Sequence, residues 1–250
     1  MSVNSTDDKI VLNHIIGGIY IKTAIITGGT GAIGKALVKE FSGDYETIFT
    51  YLNNEAAAHE LSETCGAAAV KCDISDPDAL RVLDRYMNGC SLLINNAGIA
   101  QIKLFTDITN EDWRRMTDIN LSGVFYLTRD VSAHMIRNKS GCIINISSVW
   151  GVHGASCEVH YSAAKAGVIG LTKALAKELG PSDIRVNCIA PGVIDSPMNG
   201  HLSMDEMQAL CDETPLCRIG KPEDVAKAAR FLEQSGFVTG QVIGIDGGFY

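Results

Sequence analysis

The sequence has no Cys-x-x-Cys pair, no apolar run near bilayer length and no excess of basic residues. Each absence removes a class of function. The eight cysteines stand at 65, 72, 90, 142, 157, 188, 211 and 217, mostly inside apolar runs. That pattern describes reduced, buried thiols rather than a disulfide frame or a zinc knuckle. No His/Cys/Asp cluster has the spacing of metal ligands, so no metal is expected. A membrane helix needs roughly 18 or more consecutive apolar residues, and none occurs. The first residues lack a basic segment followed by a long apolar one, so no signal peptide is expected and a cytoplasmic protein is. The formal net charge of −8 argues against binding the phosphate backbone of a nucleic acid.

What is present suits a globular chain. With 250 residues, 46% of them apolar and 20% charged, it has enough chain to bury a sizeable core. Residues 1–20 are polar, then Ile-Ile-Gly-Gly-Ile-Tyr, and fit poorly with the regular pattern of residues 21–250. They are expected to be a disordered or wrongly assigned extension ahead of one domain over 21–250. From residue 21, β-branched runs alternate with helical patterns. Strands are expected at 21–27, 47–51, 67–72, 91–94, 142–146, 185–189 and 241–245. Helices are expected at 35–42, 55–65, 111–137, 160–179 and 223–234, with 195–219 irregular. This alternation predicts a single α/β domain, a Rossmann-type doubly wound parallel sheet of about seven strands.

Three stretches carry chemistry. The first expected strand runs into Gly28-Gly29-Thr30-Gly31-Ala32-Ile33-Gly34 and then a helix. Small residues there let the backbone approach a pyrophosphate, which rests on the helix N-terminus. The second strand ends in Tyr51-Leu52-Asn53-Asn54, with no acid to bind a ribose 2′-hydroxyl. Two neutral amides tolerate a 2′-phosphate better than a carboxylate would, which favours NADP(H), with NAD(H) the alternative. Asp73 suits either an adenine contact or a helix cap. The third stretch is Ser147-Ser148 with Tyr161-Ser162-Ala163-Ala164-Lys165. On a helix, Tyr161 and Lys165 share a face one turn apart. An ammonium beside a phenol is expected to lower its pKa from the usual value of about 10. With the Ser148 hydroxyl, the set supplies a general acid and a hydrogen-bond donor for a carbonyl. His160 precedes Tyr161 and faces elsewhere on a helix, which argues against a general-base role.

In this order and spacing, the residues resemble the short-chain dehydrogenase/reductase family over about 21–250. Thr27-Gly28-x-x-x-Ala32-Ile33-Gly34 resembles its cofactor loop, and Asn95-Asn96-Ala97-Gly98 its sheet-stabilising motif. Asn120, Ser148, Tyr161 and Lys165 match its catalytic residues, and Pro191-Gly192-Val193-Ile194-Asp195-Ser196 its nicotinamide-docking segment. The resemblance implies reduction of a ketone: Tyr161 donates the proton, Lys165 bonds the ribose, Ser148 holds the carbonyl oxygen and Asn120 positions a relay water. It implies cofactor contacts at Gly28, Gly29, Thr30, Gly31, Ile33, Asn53, Asp73, Ile74, Asn95, Ala97, Tyr161, Lys165, Pro191, Gly192, Ile194 and Ser196. Two departures stand out. Ala32 replaces the middle glycine, and Thr30 and Gly31 leave no basic residue of the kind many NADP-dependent members carry.

The segments 216–224 and 238–249 resemble bacterial 3-oxoacyl-[acyl-carrier-protein] reductases, which implies fatty acid biosynthesis; the helices 111–137 and 160–179 resemble those that build the family's tetramer, which implies a homotetramer. Val149–Val159 resembles a branch that reduces a 5-aminopentanone on elongation factor P. The substrate is then a ketone carried on acyl carrier protein or a modified lysine of that factor. Glu158 beside Tyr161 suits a cationic amine or is a solvated loop acid. Met198–Met207 lies where the family has a mobile lid. A catalytically silent cofactor-binding sensor is a third reading.

Overall fold

The computed structural model describes residues 15–16, 19–20, 22–200 and 202–249. Seven parallel strands form one sheet: β1 (Thr23–Ile26), β2 (Glu46–Tyr51), β3 (Ala68–Lys71), β4 (Cys90–Asn95), β5 (Gly141–Ile146), β6 (Ile184–Pro191) and β7 (Val242–Ile245). Their order is β3-β2-β1-β4-β5-β6-β7. The direction of strand addition reverses between β1 and β4, which places a crevice beyond their carboxyl ends. The expected doubly wound sheet of seven strands is the one found. Ile15–Ile16 and Ile19–Tyr20 pair with each other in a separate two-stranded sheet. The rest of the expected N-terminal extension lies outside the described residues.

Both faces of the sheet are covered, so the central strands are apolar without alternation. One face packs Leu37 and Phe41 of α1 (Ala32–Phe41), Ala58 and Leu61 of α2 (Glu55–Cys65), and Val225, Ala229 and Leu232 of α9 (Pro222–Gln234). The other packs Leu80 and Leu83 of a 3₁₀ turn, Met87 of α3 (Asp84–Met87), Leu127, Val131 and Met135 of α5 (Gly123–Asn138), and Ala176 and Leu179 of α7 (Val159–Leu179). The bounds of α2 follow from local chemistry. The Asn54 side chain accepts from the Ala57 N–H at 3.1 Å, and Gly66 closes the helix in the left-handed region at φ 66°.

Three stretches differ from the sequence expectation. The single helix over 111–137 is α4 (Asn110–Thr117), a π-turn over Asp118–Ser122, and α5. The wider turn carries Asn120 and ends at Gly123, where a Cβ would stand 2.6 Å from the Ile74 carbonyl oxygen. Residues 149–159, expected as loop, begin with the short helix α6 (Val149–His153). The stretch 195–219, expected irregular with helical patches, contains α8 (Met204–Glu213), opened by a capping box between Ser203 and Glu206.

A buried polar ladder crosses the middle of the sheet. Asn95 Nδ2 on β4 donates to Thr128 Oγ1 of α5 at 2.9 Å and to Asn145 Oδ1 of β5 at 2.8 Å. Asn145 Nδ2 donates to Thr172 Oγ1 of α7 at 2.9 Å. Four side chains from two strands and two helices thereby satisfy one another without water. Asn145→Ala leaves the Thr172 hydroxyl with only its bond to the Val168 carbonyl and strands one Asn95 donor direction, and is expected to cost about 2 kcal/mol. A denaturation midpoint equal to that of the wild-type chain would contradict this.

Candidate active site

The glycine loop is built for close approach to a ligand. Gly28 has φ +68°, and a Cβ there would lie 2.8 Å from Ala97 Cα. A Cβ at Gly34 would lie 2.1 Å from the Gly28 carbonyl oxygen, so the loop folds tightly over the first turn of α1. At Gly31 the nearest atom is 3.5 Å away, which leaves the mouth of the loop open. Ala32 opens α1, and the first-turn N–H groups of a helix have no intrahelical acceptor. A cradle of small residues over a helix N-terminus fits the pyrophosphate of a dinucleotide. Gly28, Gly29, Thr30, Gly31 and Ile33 are therefore placed together, as expected from the sequence.

The loop is held in place by Thr27 and Asn96, which the sequence pattern alone does not single out as site residues. Thr27 Oγ1 accepts from the N–H groups of Asn96 at 2.9 Å and Ala97 at 3.0 Å. Asn96 Nδ2 donates back to the carbonyls of Thr27 at 2.9 Å and Gly28 at 3.2 Å. Ala97 thus stands against the loop. Asn95 does not offer its side chain there, because its amide is spent in the buried ladder.

Asn120, Ser148, Tyr161 and Lys165 are 0%, 8%, 9% and 4% exposed. Ser148 caps α6, its hydroxyl accepting from the Trp150 N–H at 3.2 Å. Tyr161 and Lys165 lie in α7, and the Lys165 Nζ donates to the Ile146 carbonyl at the end of β5 at 3.0 Å. That Nζ stands 5.7 Å from the centre of the Tyr161 ring. Asn120 Oδ1 accepts from the Ile99 N–H at 3.1 Å, and its Nδ2 donates to the Ile99 carbonyl at 3.0 Å. A Cβ on Gly98 would lie 2.5 Å from Asn120 Oδ1 and 3.3 Å from Lys165 Nζ. The backbone at Gly98 therefore joins Asn120 to Lys165.

The electrostatics correct one expectation. Burial pushes the Tyr161 phenol up to about 12; a hydrogen bond from Ser148 pulls the other way and the Glu158 charge adds to the rise. The lowering expected from Lys165 is absent, because its ammonium faces the ring and is tied to Ile146. Burial in turn lowers Lys165 to about 8, with Cys188 opposing weakly. Two neighbouring groups are thus held with the phenol protonated and the amine within reach of neutrality.

The remaining sequence candidates are spread along the carboxyl ends of the strands. Asn53 is exposed just past β2, whereas Asn54 is used as the cap of α2. Asp73 Oδ1 accepts from the N–H and hydroxyl of Ser75 at 2.9 and 2.6 Å, closing a local turn rather than the expected helix cap, which falls to Asp78. Ile74 is buried beside Gly123. Pro191 ends β6, and Gly192 passes so close to Asp246 that a Cβ would lie 2.8 Å from its Cα. Ile194 is buried and bridges to Gly220, and Ser196 precedes a 3₁₀ turn. Ser147 and Gly151 also belong to the site, although no spacing in the sequence points to them. Ser147 Oγ donates to the Lys165 carbonyl at 2.8 Å, and a Cβ at Gly151 would lie 2.8 Å from Lys165 Cβ. Among the described residues no group of three or more His, Cys, Asp or Glu is arranged to hold a metal. No described helix is long and apolar enough to cross a membrane.

Known proteins share this arrangement. Residues 29–250 match the family model described as enoyl-(acyl carrier protein) reductase. The 3-oxoacyl-[acyl-carrier-protein] reductase of Chlamydia trachomatis is 40% identical over 245 residues, 93% of this chain and 98% of that one. The reductase of the same name from Thermotoga maritima is 38% identical over 239 residues, 91% and 97% of the two chains. An uncharacterized oxidoreductase of Bacillus subtilis, YmfI, is 37% identical over 239 residues, 92% and 99%. The crystal structure of 3-oxoacyl-[acyl-carrier protein] reductase from Brucella melitensis superposes with a TM-score of 0.84 at 34% identity, covering 91% of this chain and 90% of that one. With the strand order, the glycine cradle and the buried tyrosine–lysine pair already in place, these matches make the chain a member of the short-chain dehydrogenase/reductase family.

Proposed function

We propose that the chain reduces a ketone to a secondary alcohol in the manner of a 3-oxoacyl-[acyl-carrier-protein] reductase, with Tyr161 as the proton donor. The observation that carries this is the meeting of Ser148, Tyr161, Lys165 and Asn120 around Gly98, beyond the carboxyl ends of β4 and β5. A nicotinamide dinucleotide held by the Gly28–Gly34 cradle and by the Pro191–Ser196 segment would supply the hydride. The protein's own part is orientation and proton supply. Burial keeps the phenol of Tyr161 protonated at neutral pH, as an acid must be. The Ser148 hydroxyl stands beside the phenol and can hold the same carbonyl oxygen. Lys165 supplies a positive charge on the far side, toward the ribose, and Asn120 fixes the backbone along which a relay water would sit.

The cofactor we favour is NADP(H) over NAD(H). Asn53 is the exposed amide just past β2, and residues 52–54, which follow the strand directly, carry no carboxylate to repel a 2′-phosphate. The substrate we favour is a 3-oxoacyl group carried on acyl carrier protein, after the relatives' activity. The second reading, a 5-aminopentanone on elongation factor P, is supported by one feature: the Glu158 charge is close enough to raise the phenol of Tyr161, so it also reaches a bound amine. A homotetramer is supported by Trp113 of α4 and Phe125 of α5, large apolar side chains exposed on the helices that family tetramers use. All eight cysteines are free thiols, which suits a reducing cytoplasmic setting.

Tyr161→Phe removes the proton and little volume. It is expected to lower kcat at least about 100-fold while leaving cofactor affinity unchanged, measured by nicotinamide fluorescence. Near-normal turnover would remove Tyr161 from the role. The free enzyme's groups govern kcat/KM. Lys165, with its pKa lowered to about 8, is charged below that pH and neutral above it, whereas the phenol at about 12 stays protonated throughout. The kcat/KM for reduction is therefore expected to be level below pH 8 and to fall above it; a profile level to pH 10 would count against this assignment. NADPH oxidation with acetoacetyl thioester, set beside oxidation with modified elongation factor P, decides the substrate. The favoured reading expects turnover of the thioester and none of the factor.

A further inference from the structure

We propose that His160 is a positioning residue: through Gln101 it clamps the connection after β4 against the turn that presents Tyr161. The proposal rests on the reading of Tyr161 and Lys165 as the reacting pair. His160 is 0% exposed, and its Nε2 lies 2.9 Å from Gln101 Oε1. The direction of that bond is settled by the next partner. Gln101 Nε2 donates to Asp112 Oδ1 at 3.0 Å, and a carboxylate only accepts. Gln101 must then turn its oxygen toward His160, and His160 must present an N–H at Nε2. Burial lowers the ring's proton affinity, so Nδ1 is a bare acceptor, and it is buried with no hydrogen-bond partner. A purely apolar side chain would fill this space without an unpaired nitrogen. A group that breaks a local rule beside a reactive residue points to function.

The bond belongs to a larger clamp. Asp112 Oδ2 takes the Lys103 ammonium at 2.6 Å while also closing the capping box of α4 with Thr109. The Lys103 N–H donates to the Cys157 carbonyl at 2.8 Å. Cys157 holds the left-handed backbone region at φ +61°, a strained position for a residue with a Cβ. Residues 101–103 are thus tied to α4 on one side and to Cys157 and the start of α7 on the other. A few residues earlier, Asn120 grips Ile99 by both its N–H and its carbonyl. Just before Ile99 stands Gly98, whose Cβ position is 3.3 Å from Lys165 Nζ. Releasing Gln101 from His160 removes the bond that joins this segment directly to the residue preceding Tyr161 and leaves it held by Asp112 and Cys157 alone.

The test compares His160→Leu, which deletes the donor, with His160→Gln, whose amide nitrogen replaces Nε2. The leucine variant is expected to lose about tenfold in kcat for ketone reduction, with the Kd of NADPH changed by less than about twofold. Amide hydrogen exchange at Ile99 and Lys103 should quicken in the same variant by about tenfold, and glutamine should restore both readouts. Gln101→Leu removes the same bond from the other partner and serves if His160→Leu does not fold. Leucine variants with unchanged exchange and kcat, or a glutamine variant as impaired as leucine, would overturn the proposal. A wild-type chain that turns over no ketone would refute the functional reading alone, since exchange at Ile99 and Lys103 still judges the clamp.

Discussion

The Lys165 ammonium is buried, and much of the site is arranged to make that burial tolerable. A charge taken out of water needs partners within reach. The Ile146 carbonyl accepts one proton, and the face of the Tyr161 ring covers another side. Each contact requires a neighbour of particular size. Gly98 has no side chain because a Cβ would strike Asn120, and Gly151 has none because a Cβ would strike the Lys165 backbone. Ser147 then pins the Lys165 carbonyl, so the helix cannot slide away from the strand. The lowered pKa of Lys165 is what remains of the burial cost after these contacts.

The same closeness links the reacting pair to the glycine cradle. Thr27 and Asn96 join the end of β1 to the end of β4 by four hydrogen bonds, so the loop and the Gly98 backbone move as one piece. Below them the Asn95–Asn145 ladder locks β4 to β5 and both strands to α5 and α7. The glycine cradle and the helix that carries Tyr161 are therefore joined through one hydrogen-bonded unit at the switch point of the sheet. Rigid elements rather than loops hold the groups that need accurate placement.

How much of this is legible in the sequence depends on the range of the cause. Most of the strands are readable because they are short apolar runs followed within two residues by glycine, asparagine or serine; β3, Ala-Ala-Val-Lys, has a single β-branched residue. The limits of α2 are readable because Asn54 and Gly66 act on their own helix. The Ser148–Tyr161–Lys165 set stands out by spacing. The π-turn at Asp118–Ser122 does not, because five residues carry no readable period and its cause, the Ile74 carbonyl against Gly123, lies 49 positions away along the chain. The side-chain task of Asn95 is hidden for the same reason: its partner Asn145 is 50 positions on. The direction of the Tyr161 shift runs against the sequence expectation because spacing puts two residues on one face without saying where an ammonium points.

His160 shows what such long-range causes do to a local reading. Its position next to Tyr161 says only that it faces another way, and that is correct. What it faces is Gln101, 59 positions earlier, and through it Asp112 and Lys103. The stretch 155–158 and the start of α7 are therefore more than a surface between serine and tyrosine. The Ala155 N–H is held by the Ser162 hydroxyl at 3.1 Å, and Cys157 is bent to give its carbonyl to Lys103. Glu158 sits on this stretch and reaches Tyr161 electrostatically. A change in how the stretch is clamped alters both the wall of the cleft and the field at the phenol. The same few hydrogen bonds thus fix both the course of this stretch and the position of the Glu158 charge that raises the Tyr161 phenol.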